Sequence, residues 1–182
     1  MGVLDQGLIQ VYTGNGKGKT TAAIGQALRA LGRGAKVCMY QFLKPASFET
    51  GESIMAQRLG PDFRLVRLEQ PWSLADSLTS PNEVGGMADA IKLALPEIIE
   101  TVNSGDWDMV ILDEVVFCYS KGIISEGDLF EILEAKDDGV ELILTGRGAT
   151  PQLIEAADLV TEMVAIKHPY EQGVPARMGI EY

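Results

Sequence analysis

A glycine-rich, basic run, TGNGKGKTT, occupies Thr13–Thr21. It follows Leu8–Thr13 (LIQVYT), a β-branched and aromatic run that predicts a strand. It opens Lys19–Leu31, where Ala22, Ala23, Ala27, Leu28 and Leu31 recur at helical spacing until Gly32–Arg33–Gly34 stops them. A glycine-rich turn between a strand and a helix is the context of a triphosphate cradle. Gly14, Gly16 and Gly18 let the backbone curl so that successive N–H groups point at phosphate oxygens. The helix N-terminus adds partial positive charge. Lys19 supplies a full charge, and Thr20 offers a hydroxyl to magnesium. The nucleotide-binding set is therefore Gly14, Asn15, Gly16, Lys17, Gly18, Lys19, Thr20 and Thr21. The loop is a variant, because Thr13 stands where G-x-x-x-x-G-K-[ST] has its first glycine. Lys17 is an extra cation, either solvated or a second point charge on phosphate.

Outward from the loop, strand-like and helix-like segments alternate. Strands are expected over Lys36–Phe42, Phe63–Leu68, Trp107–Asp113, Val140–Thr145 and Leu159–Ile166. Helices are expected over Gly51–Leu59, Asn82–Asn103, Glu126–Ala135 and Pro151–Ala157, with Pro96 kinking or splitting the second. Lys167–Tyr182, with Pro169, Gly173, Pro175 and Gly179, reads as an ordered loop. The alternation predicts an α/β domain over 1–182, a mostly parallel sheet with helices on both faces. Such sheets bind ligands at the carboxyl ends of their strands, which brings the ends at Thr13, Asp113 and Thr145 to one edge.

Asp113 and Glu114 end the apolar run WDMVILD, where two carboxylates suit a magnesium ion that bridges phosphates. Either could instead cap a helix. Arg147, in Thr145–Gly148 (TGRG), would clamp phosphate from the ligand edge or sit in a surface salt bridge. Trp72 is core or an aromatic platform for a planar ligand. His168 is the only histidine and reads as structural.

The formal net charge of −11 disfavours a nucleic-acid partner, although a local basic loop can still hold a small anion. No apolar run approaches the roughly 18 residues of a membrane span, and Met1–Gly7 shows no secretory signal. Cys38 and Cys118 lie in apolar surroundings without metal-ligand spacing, as expected of buried thiols in a reducing cytoplasm.

The chain resembles the P-loop type of ATP:corrinoid adenosyltransferase. The likeness rests on GNGKGKTTAA (Gly14–Ala23), QFLK (Gln41–Lys44), GE (Gly51–Glu52), VILDE (Val110–Glu114), TGRG and the tail KHPYEQGVPARMGIEY. It implies a RecA-like fold, a homodimer, and transfer of the 5′-deoxyadenosyl group of ATP to the cobalt(I) of a corrinoid with release of tripolyphosphate. The corrinoid would be cob(I)yrinic acid a,c-diamide, cobinamide or cobalamin, and a flavoprotein reductase is the implied partner. By the same resemblance Gly14–Thr20 bind ATP, Thr20 and Glu114 surround magnesium, and the triphosphate lies reversed from ordinary ATPases. Lys17, Lys19 and Arg147 would then stabilise charge on the leaving group. The chain departs from the family's GFTWxTQ-like stretch, keeping Trp72 within Leu68–Ser77, and has Pro45 where the family tends to have glycine. Two other readings share the loop: an ATPase or kinase that cleaves the terminal phosphate, and a nucleotide sensor or corrinoid carrier without catalysis.

Overall fold

The computed structural model describes residues 4–44, 49–68 and 81–182. Among them six strands form one sheet: β1 (Ile9–Thr13), β2 (Val37–Gln41), β3 (Phe63–Arg67), β4 (Met109–Asp113), β5 (Glu141–Thr145) and β6 (Leu159–Glu162). Their order across the sheet is β3-β2-β4-β5-β1-β6, and every pairing is parallel. The helices are α1 (Lys19–Leu31), α2 (Gly51–Leu59), α3 (Pro81–Asn103), α4 (Val115–Ser120), α5 (Glu126–Ala135) and α6 (Pro151–Ala156). None is long and apolar enough to cross a membrane among the described residues.

Side chains alternate across a strand, so each central strand feeds two cores. Val37, Met39, Met109, Ile111 and Ile143 pack with Ala23 and Ala27 of α1 and with Leu59 of α2. Cys38, Tyr40, Val110, Leu112, Leu142 and Leu144 face Met87, Ile91, Leu95, Ile98 and Val102 of α3, with Leu129 and Ile132 of α5. Helices therefore cover both faces, as the alternation of segments predicts. Both cysteines are free and buried, and burial pushes the Cys38 thiol up to about 12.

Two expectations are corrected and one helix was not foreseen. α3 runs through Pro96 as one helix rather than splitting. Pro96 is exposed, as is Lys92, whose carbonyl it cannot serve, so the lost bond falls away from the buried stripe. The last strand stops at Glu162 instead of Ile166, because β1, its neighbour, ends at Thr13. VVFCYS forms α4, a helix that β-branched and aromatic residues gave no reason to expect. Glu114 turns the chain into it at φ 67°, the one non-glycine with positive φ among the described residues. That left-handed geometry costs about 1–2 kcal/mol, offset by burial of Val115, Val116 and Cys118.

Two glycines hold the ligand edge together by lacking a side chain. A Cβ on Gly14, at φ 92°, would stand 2.4 Å from the Met163 carbonyl oxygen. A Cβ on Gly146, at φ 141°, would stand 2.5 Å from the Phe117 nitrogen at the start of α4. The loop after β1 is thus pressed against the chain leaving β6, and the TGRG turn against α4.

Candidate functional site

The carboxyl ends of β1, β4 and β5 lie side by side, with Tyr12 opposite Thr145 and Leu112 opposite Leu144. From β1 the glycine-rich loop folds back and is latched twice. Gly16 N donates to Met163 O at 2.7 Å, and Met163 N donates to Thr13 O at 2.9 Å. Inside the loop Lys19, a residue 7 % exposed, donates from its ammonium to Gly14 O at 2.8 Å and Gly16 O at 2.9 Å. An ammonium has three protons, so one remains for a ligand oxygen. Burial weakens the hold of Lys19 on its proton, Glu114 and Asp113 strengthen it, and Arg147 opposes them. Thr13, in place of the usual glycine, accepts from Ala149 N at 3.2 Å and ties the loop to the turn after β5.

Asp113 is the centre of the site. Its Oδ1 accepts from Thr20 Oγ1 at 2.8 Å and from Thr145 Oγ1 at 2.7 Å. Its Oδ2 is buried with no hydrogen-bond partner. The Thr145 hydroxyl also accepts from Glu114 N at 3.0 Å, so one side chain sets both acids. The Glu114 carboxyl is pushed up by burial and by Asp113, while Lys19, Lys44 and Arg147 pull it down. Lys19, Thr20, Asp113 and Glu114 are therefore brought together as the strand ends predict. Thr145 was legible only as the end of a strand, and its ordering role was not.

A polar network beyond β4 was not foreseen as part of the site. Lys44 Nζ lies 2.6 Å from Glu52 Oε1 and 3.8 Å from Asp113 Oδ2. Gln41 Nε2 donates to the same Glu52 oxygen at 2.8 Å, and Gln41 Oε1 accepts from Arg67 Nε at 3.2 Å. The only signal in sequence was the pair of short motifs QFLK and GE.

On the other side of the loop, Asn15 and Arg147 line a cavity of about 470 Å³ with Ala165, His168, Tyr170 and Glu171. That lies within the size range of small-molecule sites. Arg147 is exposed and makes no ion pair with the described residues, so the surface salt bridge is absent there. His168 Nδ1 accepts from Tyr170 N at 3.2 Å and caps a short turn of 3₁₀ helix, Pro169–Gln172, within the tail. Asn15 and Lys17 are exposed on the loop, and Thr21 is exposed in the first turn of α1. Trp72 and Pro45 lie outside the described residues.

The donor set can be tested against a divalent cation. Among the described residues no group of three or more His, Cys, Asp or Glu side chains could hold a metal unaided. Magnesium does not require one, since it is held by one or two carboxylates with substrate phosphates and waters. An orphaned buried carboxylate oxygen on Asp113, with the Thr20 hydroxyl and the Glu114 carboxylate beside it, fits that chemistry.

The family described as ATP:corrinoid adenosyltransferase BtuR/CobO/CobP matches residues 5–182. A corrinoid adenosyltransferase of Escherichia coli (strain K12) is 32% identical over 178 residues, covering 98% of this chain and 87% of that one. The corrinoid adenosyltransferase CobA of Salmonella typhimurium is likewise 32% identical over 178 residues, with 98% and 87% covered. A corrinoid adenosyltransferase of Sinorhizobium sp is 35% identical over 181 residues, with 98% and 81% covered. Among solved structures, the flagellar accessory protein FlaH of Methanocaldococcus jannaschii superposes with a TM-score of 0.54 at 14% identity. It covers 87% of this chain and 72% of that one, a likeness of fold alone.

Proposed function

The chain belongs to the ATP:corrinoid adenosyltransferase family, and on that premise we infer that the loop, Asp113 and Glu114 form its metal–triphosphate site. The enzyme transfers the adenosyl group of ATP to a corrinoid in cobalamin biosynthesis. The observation that carries the site assignment is the asymmetry of Asp113. One oxygen is saturated by Thr20 and Thr145, and the other is buried with no hydrogen-bond partner.

The chemistry follows from which bond breaks. The reduced cobalt of the corrinoid is the nucleophile and brings both electrons of the new cobalt–carbon bond. The C5′–O5′ bond of ATP breaks, and its electron pair leaves with all three phosphates. No side chain need act as nucleophile or take a proton. The task of the protein is to position C5′ and to stabilise charge on the leaving oxygens. Lys19 offers its remaining proton to that charge. Lys17 and Arg147, both exposed, offer further cationic donors, and Gly14–Thr21 supply backbone N–H groups. Magnesium, held by Thr20, Asp113 and Glu114, would supply Lewis-acid neutralisation of the triphosphate. What becomes of the three phosphates is the test. This reading requires them to leave as one piece, which phosphorus NMR distinguishes from cleavage of the terminal phosphate.

Two further elements belong to the proposal. The cobalt of the corrinoid must first be reduced to cobalt(I) by electrons from an external donor, for which a flavoprotein is the implied class. The homodimer is supported by the sheet edge: β6 is exposed along its length, and Leu159, Val164, Ile166, Tyr170 and Met178 leave an apolar surface there and in the tail. Sedimentation equilibrium at twice the 19.6 kDa chain mass is expected, and a monomer at micromolar concentration would contradict it.

A further inference from the structure

The two short motifs that the transfer reaction leaves without a role, QFLK and GE, meet beside Asp113. Lys44 sits between two acids. Its ammonium is 2.6 Å from Glu52 Oε1 and 3.8 Å from Asp113 Oδ2, with 20 % of the side chain exposed. The shorter contact is a charge-assisted hydrogen bond and the longer is an ion pair without one. Gln41 Nε2 holds the Glu52 oxygen in place at 2.8 Å. Asp113 Oδ2 is the buried oxygen with no hydrogen-bond partner, and its sister oxygen already accepts two hydroxyls. The position where a divalent cation would bind Asp113 is thus already faced by a monovalent one.

We propose that Lys44 is a built-in placeholder that balances Asp113 in the nucleotide-free protein and excludes a bare divalent cation until the triphosphate arrives. The inference rests on the reading of Asp113 as a metal ligand. An ammonium and a dication sharing one carboxylate repel each other well above thermal energy at such distances, even with the screening of a partly wet site. A triphosphate reverses the balance, because its negative charges attract both cations. Glu52 gives Lys44 a place to withdraw to. Burial pushes the Glu52 carboxyl up, but the hydrogen bond and charge of Lys44, with Gln41, outweigh it and hold it at about 2. Glu52 therefore stays charged across the working pH range. Metal would then enter only with nucleotide, which keeps the phosphate loop from filling with free cation.

The experiment is titration of manganese(II) into the nucleotide-free full-length protein, followed by electron paramagnetic resonance. Wild type is compared with Lys44→Met, Lys44→Arg and the double variant Lys44→Met/Glu52→Gln, which removes the ammonium without leaving Glu52 charged and unpaired. Manganese affinity is expected to rise at least tenfold in Lys44→Met and in the double variant. Lys44→Arg, which keeps the charge, should stay within threefold of wild type. Melting curves identify any variant that fails to fold, and the double variant decides if the single one does. The same titration is repeated with ATP present. If the variants bind manganese–ATP yet bind bare manganese no more tightly than wild type, the placeholder is wrong and the metal reading stands. If Lys44→Arg behaves like Lys44→Met, charge is not the cause and the proposal also falls. If no protein binds manganese even with ATP, the metal reading itself is overturned and this inference with it.

Discussion

Replacing Lys19 with alanine is expected to weaken ATP binding at least a hundredfold, a loss of about 2.7 kcal/mol or more. Two separate effects add in the same direction. The first is removal of a buried full charge from the place where phosphate oxygens gather. The second is mechanical, because the ammonium ties Gly14 O to Gly16 O from inside the loop. Without it two carbonyl oxygens that point inward lose their donor and oppose an anion. Lys19→Arg should not rescue, since a planar guanidinium cannot replace a compact ammonium at 2.8 and 2.9 Å from two carbonyls of one tight turn. Titration calorimetry with ATP measures the effect directly. Unchanged affinity in a folded Lys19→Ala protein would remove the loop from the account.

The second large effect is expected at Asp113. Asp113→Asn keeps the size of the side chain and an oxygen able to accept from Thr20 and Thr145. What it loses is the negative charge at Oδ2, the atom without a hydrogen-bond partner. The fold should survive, with a modest change in melting temperature, because the side chain is enclosed by strand ends that pack independently of it. Turnover should fall by about 10²–10³, the magnitude typical of losing one preorganised electrostatic contact to a developing charge. ATP affinity in the absence of divalent metal should change little or improve, since a negative charge near the triphosphate is gone. A variant with turnover within threefold of wild type would show that Asp113 orders the strand ends and nothing more.

How far the sequence reaches can be judged from particular residues. The sheet and its ligand edge were legible because β2, β4 and β5 are buried along their whole length and read as apolar runs. α1 was legible from end to end because a glycine turn closes it on each side. α4 was not, since its burial on the sheet outweighs the weak helix preference of VVFCYS. The end of β6 depended on where another strand stops, which is a tertiary fact. In the candidate site, Lys19, Thr20, Asp113 and Glu114 were singled out because phosphate and metal chemistry demand those residue types after those strands, and the fold brings the four together. Thr145, Lys44 and Glu52 escaped because hydroxyls and ion pairs are common at strand ends, and only their distances to Asp113 and to one another single them out.

In the proposed reaction the triphosphate departs whole, held by the loop while the bond at C5′ breaks. Phosphorus NMR of a reaction containing the protein, ATP, magnesium, a corrinoid and a strong reductant follows the fate of all three phosphates. The expected result is tripolyphosphate formed one for one with a light-sensitive adenosylcorrinoid. ADP and inorganic phosphate appearing in its place would contradict it.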